Sequence, residues 1–255
     1  MNREDSLSST RKKVREIFDD DASKRDMLFR DPIHDYEQDS RQKAISALTV
    51  GRSYPVCLDA GCGNGRDLSI HSQRAEQLIG ADISRKMLEQ ARPKTSKFRH
   101  RLDLIVCDLT YLPFRSDVVD LIVCSEVLEH VPNWRKAITE FRKALKPGGS
   151  IVISTPNKLS IYGLTRYSGR LFFGSKHPYD RWKSYFELRR VLVSSNFRLG
   201  SSIGACYLPG DLSYYNPFKM VIIRLLNVIR SIEGQVSHKW PFNLLGFMIV
   251  IRGKK

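Results

Sequence analysis

Val56 to Leu68 reads VCLDAGCGNGRDL: a short apolar run closing on Asp59, three glycines at alternate positions (Gly61, Gly63 and Gly65), and then a helix-compatible stretch from Arg66 to Gln73. That order is the order of a strand, a tight turn and a helix start. Glycine permits positive φ and lets a ligand approach the backbone, and amides entering a helix N-terminus carry a partial positive charge. The loop is therefore expected to direct several free N–H groups at a nucleotide-like ligand.

Outward from this loop, apolar, β-branched runs recur: PVCLD (55–59), QLIGAD (77–82), LDLIVCD (102–108), VVDLIVCS (118–125) and SIVIST (150–155). They are continuous rather than alternating, which suits strands covered on both faces, as in a parallel sheet. Between them Ser84 opens an amphipathic helix, SRKMLEQAR. Asn133 opens another, NWRKAITEFRKALK, with Trp134, Ile138, Phe141 and Leu145 at helical spacing before PGG ends it. Alternation of strand and helix implies an α/β, doubly wound fold. Further along, Lys183–Ser195 reads as a helix, Phe197–Tyr207 as a sixth strand and GFMIVIRGK as a seventh. A long insertion, about 208–245, separates those two strands, with a helix expected at Phe218–Ile232. Residues 1–50 hold no comparable strand and read as a helical cap, leaving 51–255 as the main domain.

The chain has 255 residues and a net charge of +15. Residues 1–50 carry 10 basic and 11 acidic side chains, residues 51–155 carry 16 and 12, and residues 156–255 carry 16 and 4. A basic region of that size can attract RNA, an anionic membrane face or an acidic small substrate, and charge alone does not choose. No two of the five cysteines have CxxC spacing, and Cys57, Cys107 and Cys124 sit inside strand-like runs, so reduced buried thiols, a cytoplasmic setting and no metal site are expected. The N-terminal residues lack the apolar core of a secretory signal.

The dinucleotide fingerprint is GxGxxG, and here the third glycine comes one position early. A second acid adds weight: Asp82 ends the second strand nineteen residues after Gly63, where a carboxylate can accept from ribose hydroxyls. With DAGCGNG (59–65), GADIS (80–84), CDLTYLPF (107–114), DLIVCSEVLEHV (120–131) and LKPGGSIVIS (145–154) in order, about 100 residues resemble the class I S-adenosylmethionine (SAM)-dependent methyltransferases of the small-molecule, ubiquinone-methyltransferase-like type.

The resemblance implies a Rossmann-like sheet of seven strands, mostly parallel with strand seven antiparallel, and SAM as cofactor. It also implies roles. Asp59, Gly61, Cys62, Gly63 and Gly65 would shape the loop under the methionine part of SAM. Asp82 would hold the ribose and Ile83 would pack on adenine, with Asp108 and the Leu109 backbone at the adenine amino group. Ser125 and Glu126, with Cys124, would lie near the methionine end of the donor and the transferring methyl. Arg41 is a candidate for the SAM carboxylate. His130 and Glu129 are the candidate general bases, set against a structural histidine reading for His130. Asp120, at a strand start, reads as structural.

The acceptor side is expected from segments outside the shared core: the cap, an aromatic and basic stretch at 157–186, and the insertion. Tyr162, Tyr167, Phe172, Phe173, His177, Tyr179, Trp182, Tyr185 and Phe186 lie there with Arg166, Arg170, Lys176 and Arg181. Members that methylate amino groups of nucleic acid carry an Asn/Asp-Pro-Pro-Tyr/Phe motif at the end of strand four; this chain reads Cys124-Ser125-Glu126-Val127. A small-molecule acceptor is therefore the leading expectation. The alternatives are an RNA methyltransferase using the basic C-terminal region, a SAM-binding protein without transferase activity, and a nicotinamide-dependent oxidoreductase, which the glycine spacing disfavours. The Phe218–Ile232 helix has an apolar side wide enough for a buried packing helix, so packing is expected over contact with a membrane surface.

Overall fold

The computed structural model describes residues 3–22, 32–51, 53–160, 162–164, 180–208 and 219–255. The chain runs α1 (Arg3–Asp21), α2 (Pro32–Thr49), β1 (Tyr54–Ala60), α3 (Leu68–Ser72), β2 (Ala75–Asp82), α4 (Arg85–Lys94), β3 (Leu102–Val106), β4 (Val119–Ser125), α5 (Trp134–Ala144), β5 (Leu145–Pro156), α6 (Tyr185–Ser194), β6 (Arg198–Ala205), α7 (Lys219–Val236) and β7 (Met248–Lys254). Seven strands form one sheet in the order β3-β2-β1-β4-β5-β7-β6. The pairs β1 with β2 and β4, β2 with β3, and β4 with β5 are parallel, and β7 runs antiparallel to both β5 and β6. The expected sheet, with strand seven reversed, is the one observed.

The continuous apolar runs are explained by burial on two faces. Leu58, Ile122 and Cys124 point into one core with α5 and α6, through Trp134, Ile138, Phe141, Leu188 and Leu192. Their neighbours Cys57, Leu121 and Val123 point into a second core with α2, through Tyr36, Ala44, Ile45 and Leu48. Each strand residue thus meets a helix layer whichever way it points. Burial pushes the Cys57, Cys62 and Cys124 thiols up, so these behave as small apolar side chains.

Local signals set the helix starts. The Ser84 hydroxyl accepts from the Met87 amide at 3.1 Å, and Ser184 with Glu187 forms a reciprocal capping box at the start of α6. Two boundaries differ from the sequence reading. Helix α5 ends at Ala144 instead of running to Lys146, because Leu145 adopts an extended conformation and pairs with Val119. Asp120 explains part of this junction: its carboxylate accepts from the Val56 amide at 2.9 Å and the Lys146 ammonium at 2.8 Å, tying β1, β4 and the start of β5.

Helix α7 is the larger correction. It packs through Leu226 and partly buried Ile229, yet Val221, Leu225, Val228 and Ile232 are about half exposed. The reason is polar: Glu233 is buried and accepts from Tyr36 and Ser40 on α2 and from the Cys206 amide at 2.9 Å. This turns one side of α7 inward, beside a cleft of about 340 Å³ shared with α2 and β6, and leaves the wide apolar side only partly covered. Among the described residues no helix is long and apolar enough to cross a membrane. The expected acceptor-side residues Tyr167, Phe172, Phe173, His177, Tyr179, Arg166, Arg170 and Lys176 lie outside the described residues.

Candidate functional site

The carboxyl ends of β1, β2 and β4 lie side by side, which places Asp59, Asp82 and Ser125 along one edge of the sheet. Ligands of doubly wound sheets bind at this edge, where strand order reverses between β1 and β4. Gly61, Gly63 and Gly65 all have positive φ (85°, 52° and 80°). At Gly61 a Cβ would overlap the Val127 side chain, and at Gly65 it would come within 2.8 Å of the Ala91 Cβ, so the loop is pressed between the end of β4 and helix α4.

The loop amides are not free, contrary to expectation. Those of Gly61 and Cys62 both donate to the Ala81 carbonyl, at 2.7 and 3.0 Å, and that of Gly65 donates to Cys62 O at 3.0 Å. The Gly63 amide donates to Asp82 Oδ2 at 2.8 Å. The turn closes on the neighbouring strand instead of opening toward an anion, and the helix that follows, Leu68–Ser72, is one short turn with little dipole to offer. A pyrophosphate would find few donors here.

Carboxylates surround the loop instead. Asp59 is buried and its carboxyl is held well above the usual range by burial and by Asp67 nearby, with Arg41 working the other way. Burial also opposes charge on Asp67, but Arg41 and Arg66 hold its carboxyl below the usual range. His71, 3.8 Å from Asp59, is pushed down to about 4 by burial and is neutral at pH 7. Asp82 shares its two oxygens between Gly63 N and Ser84 N, each at 2.8 Å, which fixes the carboxylate at the strand end. Such an acidic surround suits a cationic ligand.

Arg41 is the cation at the centre. It is 1% exposed, donates Nη2 to Asp67 at 2.8 Å and Nη1 to Glu126. Its Nε, the Asp59 Oδ2 and the His71 Nε2 are buried with no hydrogen-bond partner. A buried donor and a buried acceptor left without partners are costly unless a ligand completes them. A ligand bearing an ammonium and a carboxylate, the amino-acid end of SAM, would answer the acceptor of Asp59 and the donor of Arg41. The residues present fit that group.

At the end of β4 the Ser125 hydroxyl meets Ser154 Oγ at 2.8 Å. Glu126 follows at φ +55°, a left-handed conformation held by its amide donating to Ser154 O at 3.0 Å. Its carboxylate, expected near the methionine end of the donor and the methyl, accepts from Arg41. Ile83 is half-buried and Leu109 is buried. Asp108 Oδ1 accepts from the Thr110 amide and hydroxyl, both at 2.8 Å, which shapes the turn, while Oδ2 faces Arg11 of α1 at 3.5 Å. Helix α1 spans the same edge: Asp19 accepts from Ser84 Oγ at 2.5 Å and Phe18 packs edge-on to His130 at 5.2 Å.

Glu129 and His130 part company. His130 is half-buried on the short 3-10 turn Leu128–His130, against Phe18. Glu129 faces the interior, accepts from Thr155 Oγ1 at 3.1 Å, and its carbonyl accepts from the Arg181 amide at 2.9 Å. Burial raises its carboxyl to about 7, and Lys183 nearby is lowered to about 8, also by burial. Sequence reasoning did not single out Asp67 or His71; both sit on or beside α3, and nothing local marks them apart from helix-start chemistry.

Residues 58–153 match the methyltransferase domain family. The chain is 29% identical over 112 residues to a malonyl-[acyl-carrier protein] O-methyltransferase of Salmonella typhimurium, covering 44% of this chain and 43% of that protein. It is 29% identical over 187 residues to a demethylmenaquinone methyltransferase of Staphylococcus saprophyticus, covering 67% and 78%. The fold matches a solved SAM-dependent methyltransferase of Thermotoga maritima, described as a possible histamine N-methyltransferase, with a TM-score of 0.69 at 19% identity over 94% of this chain and 99% of that one. The strand order and the domain match agree: residues 58–153 are similar to a methyltransferase domain, and the sheet is that of a solved SAM-dependent methyltransferase.

Proposed function

We propose that the protein transfers a methyl group from SAM to a small organic acceptor by in-line displacement. The observation that carries this reading is the pair of unpartnered buried atoms, Asp59 Oδ2 and Arg41 Nε, under a loop whose own amides are spent. Bound SAM supplies an electrophilic methyl on a cationic sulfonium, so the chain's task is alignment more than acid or base power. Alignment alone is worth roughly 7–11 kcal/mol.

In this reading Asp59 and Arg41 hold the amino-acid end, Asp82 holds the ribose hydroxyls, and Ile83, Asp108 and Leu109 bound the adenine. Asp67, Asp82 and Glu126 keep the surroundings negative while the donor is cationic. Ser125 and the strained Glu126 set the wall beside the reacting carbon. Where the acceptor is a hydroxyl, His130 is the group that takes its proton, a contribution of about 10²–10⁴-fold. Glu129 stays inside, holding the Arg181 backbone. Residues 1–50, which bring Arg41, Arg11 and Phe18 to the site, act as the cap. The likeness to the demethylmenaquinone methyltransferase of Staphylococcus saprophyticus supports an organic small-molecule acceptor.

The test is calorimetry with S-adenosylhomocysteine, followed by transfer of labelled methyl from SAM to small-molecule fractions of a cell extract. Binding and transfer by the wild type, both lost in Asp82→Ala, are expected. Folded protein that gives no heat with either compound would overturn the proposal.

A further inference from the structure

We propose that α7 and the segment after it form a peripheral docking surface for an anionic lipid bilayer. Val221, Leu225, Val228 and Ile232 recur at i, i+4, i+7 and i+11 and so fall within an arc of about 60° on the helix. They are 50%, 48%, 54% and 55% exposed. The stripe is followed by Trp240, 80% exposed, with Phe242 and Leu245 also exposed. A contiguous apolar face of this kind calls for a partner, where single exposed apolar side chains elsewhere do not.

Charge identifies the partner. Residues 219–245 contain Lys219, Arg224, Arg230 and Lys239 and a single acid, Glu233. That acid is buried on Tyr36 and Ser40, and Arg230 is turned to Asp39 at 3.7 Å. The outward surface of the segment therefore carries Arg224 and Lys239 beside apolar side chains, with no outward carboxylate of its own. Lipid phosphates attract such cations while the stripe and Trp240 enter the boundary between headgroup and acyl chain. A second copy would bring a like-charged segment against this one. A nucleic acid would leave the aliphatic stripe without a counterpart, since bases stack on aromatic faces. The contact is with the surface, because no described helix is suited to spanning.

The surface and the donor site share α2. Ser40 binds Glu233 of α7, and the next residue, Arg41, reaches Glu126 and Asp67. This arrangement suits an acceptor with an apolar tail drawn from the bilayer. That consequence rests on the methyl-transfer reading, and the surface itself does not.

The experiment uses the full chain without SAM, sedimented with vesicles of phosphatidylcholine alone and of phosphatidylcholine mixed with phosphatidylglycerol. Sedimentation with the anionic vesicles only, released by salt, is expected. Val228→Gln combined with Trp240→Ala should weaken it by about tenfold or more, and Arg224→Gln and Lys239→Gln by about fivefold each. Tryptophan emission should shift to the blue with anionic vesicles in the wild type but not in Trp240→Phe, and unchanged melting shows that the variants are folded. No sedimentation at low salt, or equal sedimentation of wild type and variants, would overturn the proposal. So would a dimer in light scattering that Val228→Gln splits, which assigns the stripe to a second copy. Failure here leaves SAM binding intact, and failure of SAM binding leaves the vesicle result intact.

Discussion

Arg41, on the second helix, donates Nη2 to the Asp67 carboxylate 2.8 Å away, joining two residues 26 positions apart across the mouth of the glycine loop. The pair ties the second helix to the glycine-loop end of the sheet and leaves the buried guanidinium Nε without a hydrogen-bond partner.

Replacing Arg41 tests both roles. Arg41→Ala leaves Asp67 and Glu126 without their counter-charge in a buried setting and should cost about 3–5 kcal/mol of stability. Arg41→Lys keeps the charge but lacks the planar fork, and should fold while binding S-adenosylhomocysteine about tenfold more weakly. Chemical denaturation and calorimetry on the same samples separate the two effects. Wild-type affinity in Arg41→Lys would restrict Arg41 to structure.

Asp82→Asn keeps the size of the side chain and one acceptor oxygen, so either the Gly63 or the Ser84 amide retains its bond. Loss of the charge-assisted bonds to ribose should weaken S-adenosylhomocysteine binding by about 10- to 100-fold. Methionine alone, which has no ribose, should bind both proteins equally in a competition assay.

Gly61→Ala meets two obstacles, the φ of +85° and overlap with Val127. Each is worth about 1–3 kcal/mol. Adding Val127→Ala should restore the steric part alone, so the double variant should melt between the single Gly61→Ala variant and the wild type.

Glu129 makes a prediction about pH. Its carboxyl rises from 4.5 to about 7 on folding because burial disfavours the charge. The folded state therefore holds the proton more tightly, and the contribution is fully present below pH 4.5 and lost as pH rises to about 7. Glu129→Gln should flatten that part of the curve of stability against pH measured by urea unfolding. If His130 is the base and Glu129 is structural, the same variant leaves the pH profile of methyl transfer in place while His130→Gln removes its rising limb.

Much of the architecture was legible because its signals are local. Continuous apolar runs meant strands buried on both faces, and Ser84 and Ser184 announced helices through bonds to amides three residues away. The spacing of Gly63 and Asp82 was legible too, since a strand and its parallel neighbour are separated by one crossover. The expected free amides were misread because their acceptor, Ala81 O, belongs to the neighbouring strand and cannot be seen from the loop. The wide apolar side of α7 was read as buried for a similar reason: the buried Glu233 that orients the helix finds Tyr36 across 197 positions.

The sequence by itself determined the sheet, the likeness of residues 58–153 to a methyltransferase domain and the acids at the strand ends, because hydrophobic period, caps and motif spacing act over a few residues or one strand-helix-strand unit. Only the tertiary structure decided that the glycine loop is closed on β2, that Arg41 is buried with an unpartnered N–H, that Glu129 faces inward and His130 outward, and that α7 keeps an apolar stripe on the surface. Those outcomes depend on which distant groups meet in a low-dielectric interior. There, satisfying a buried charge outweighs the preference of any single helix face.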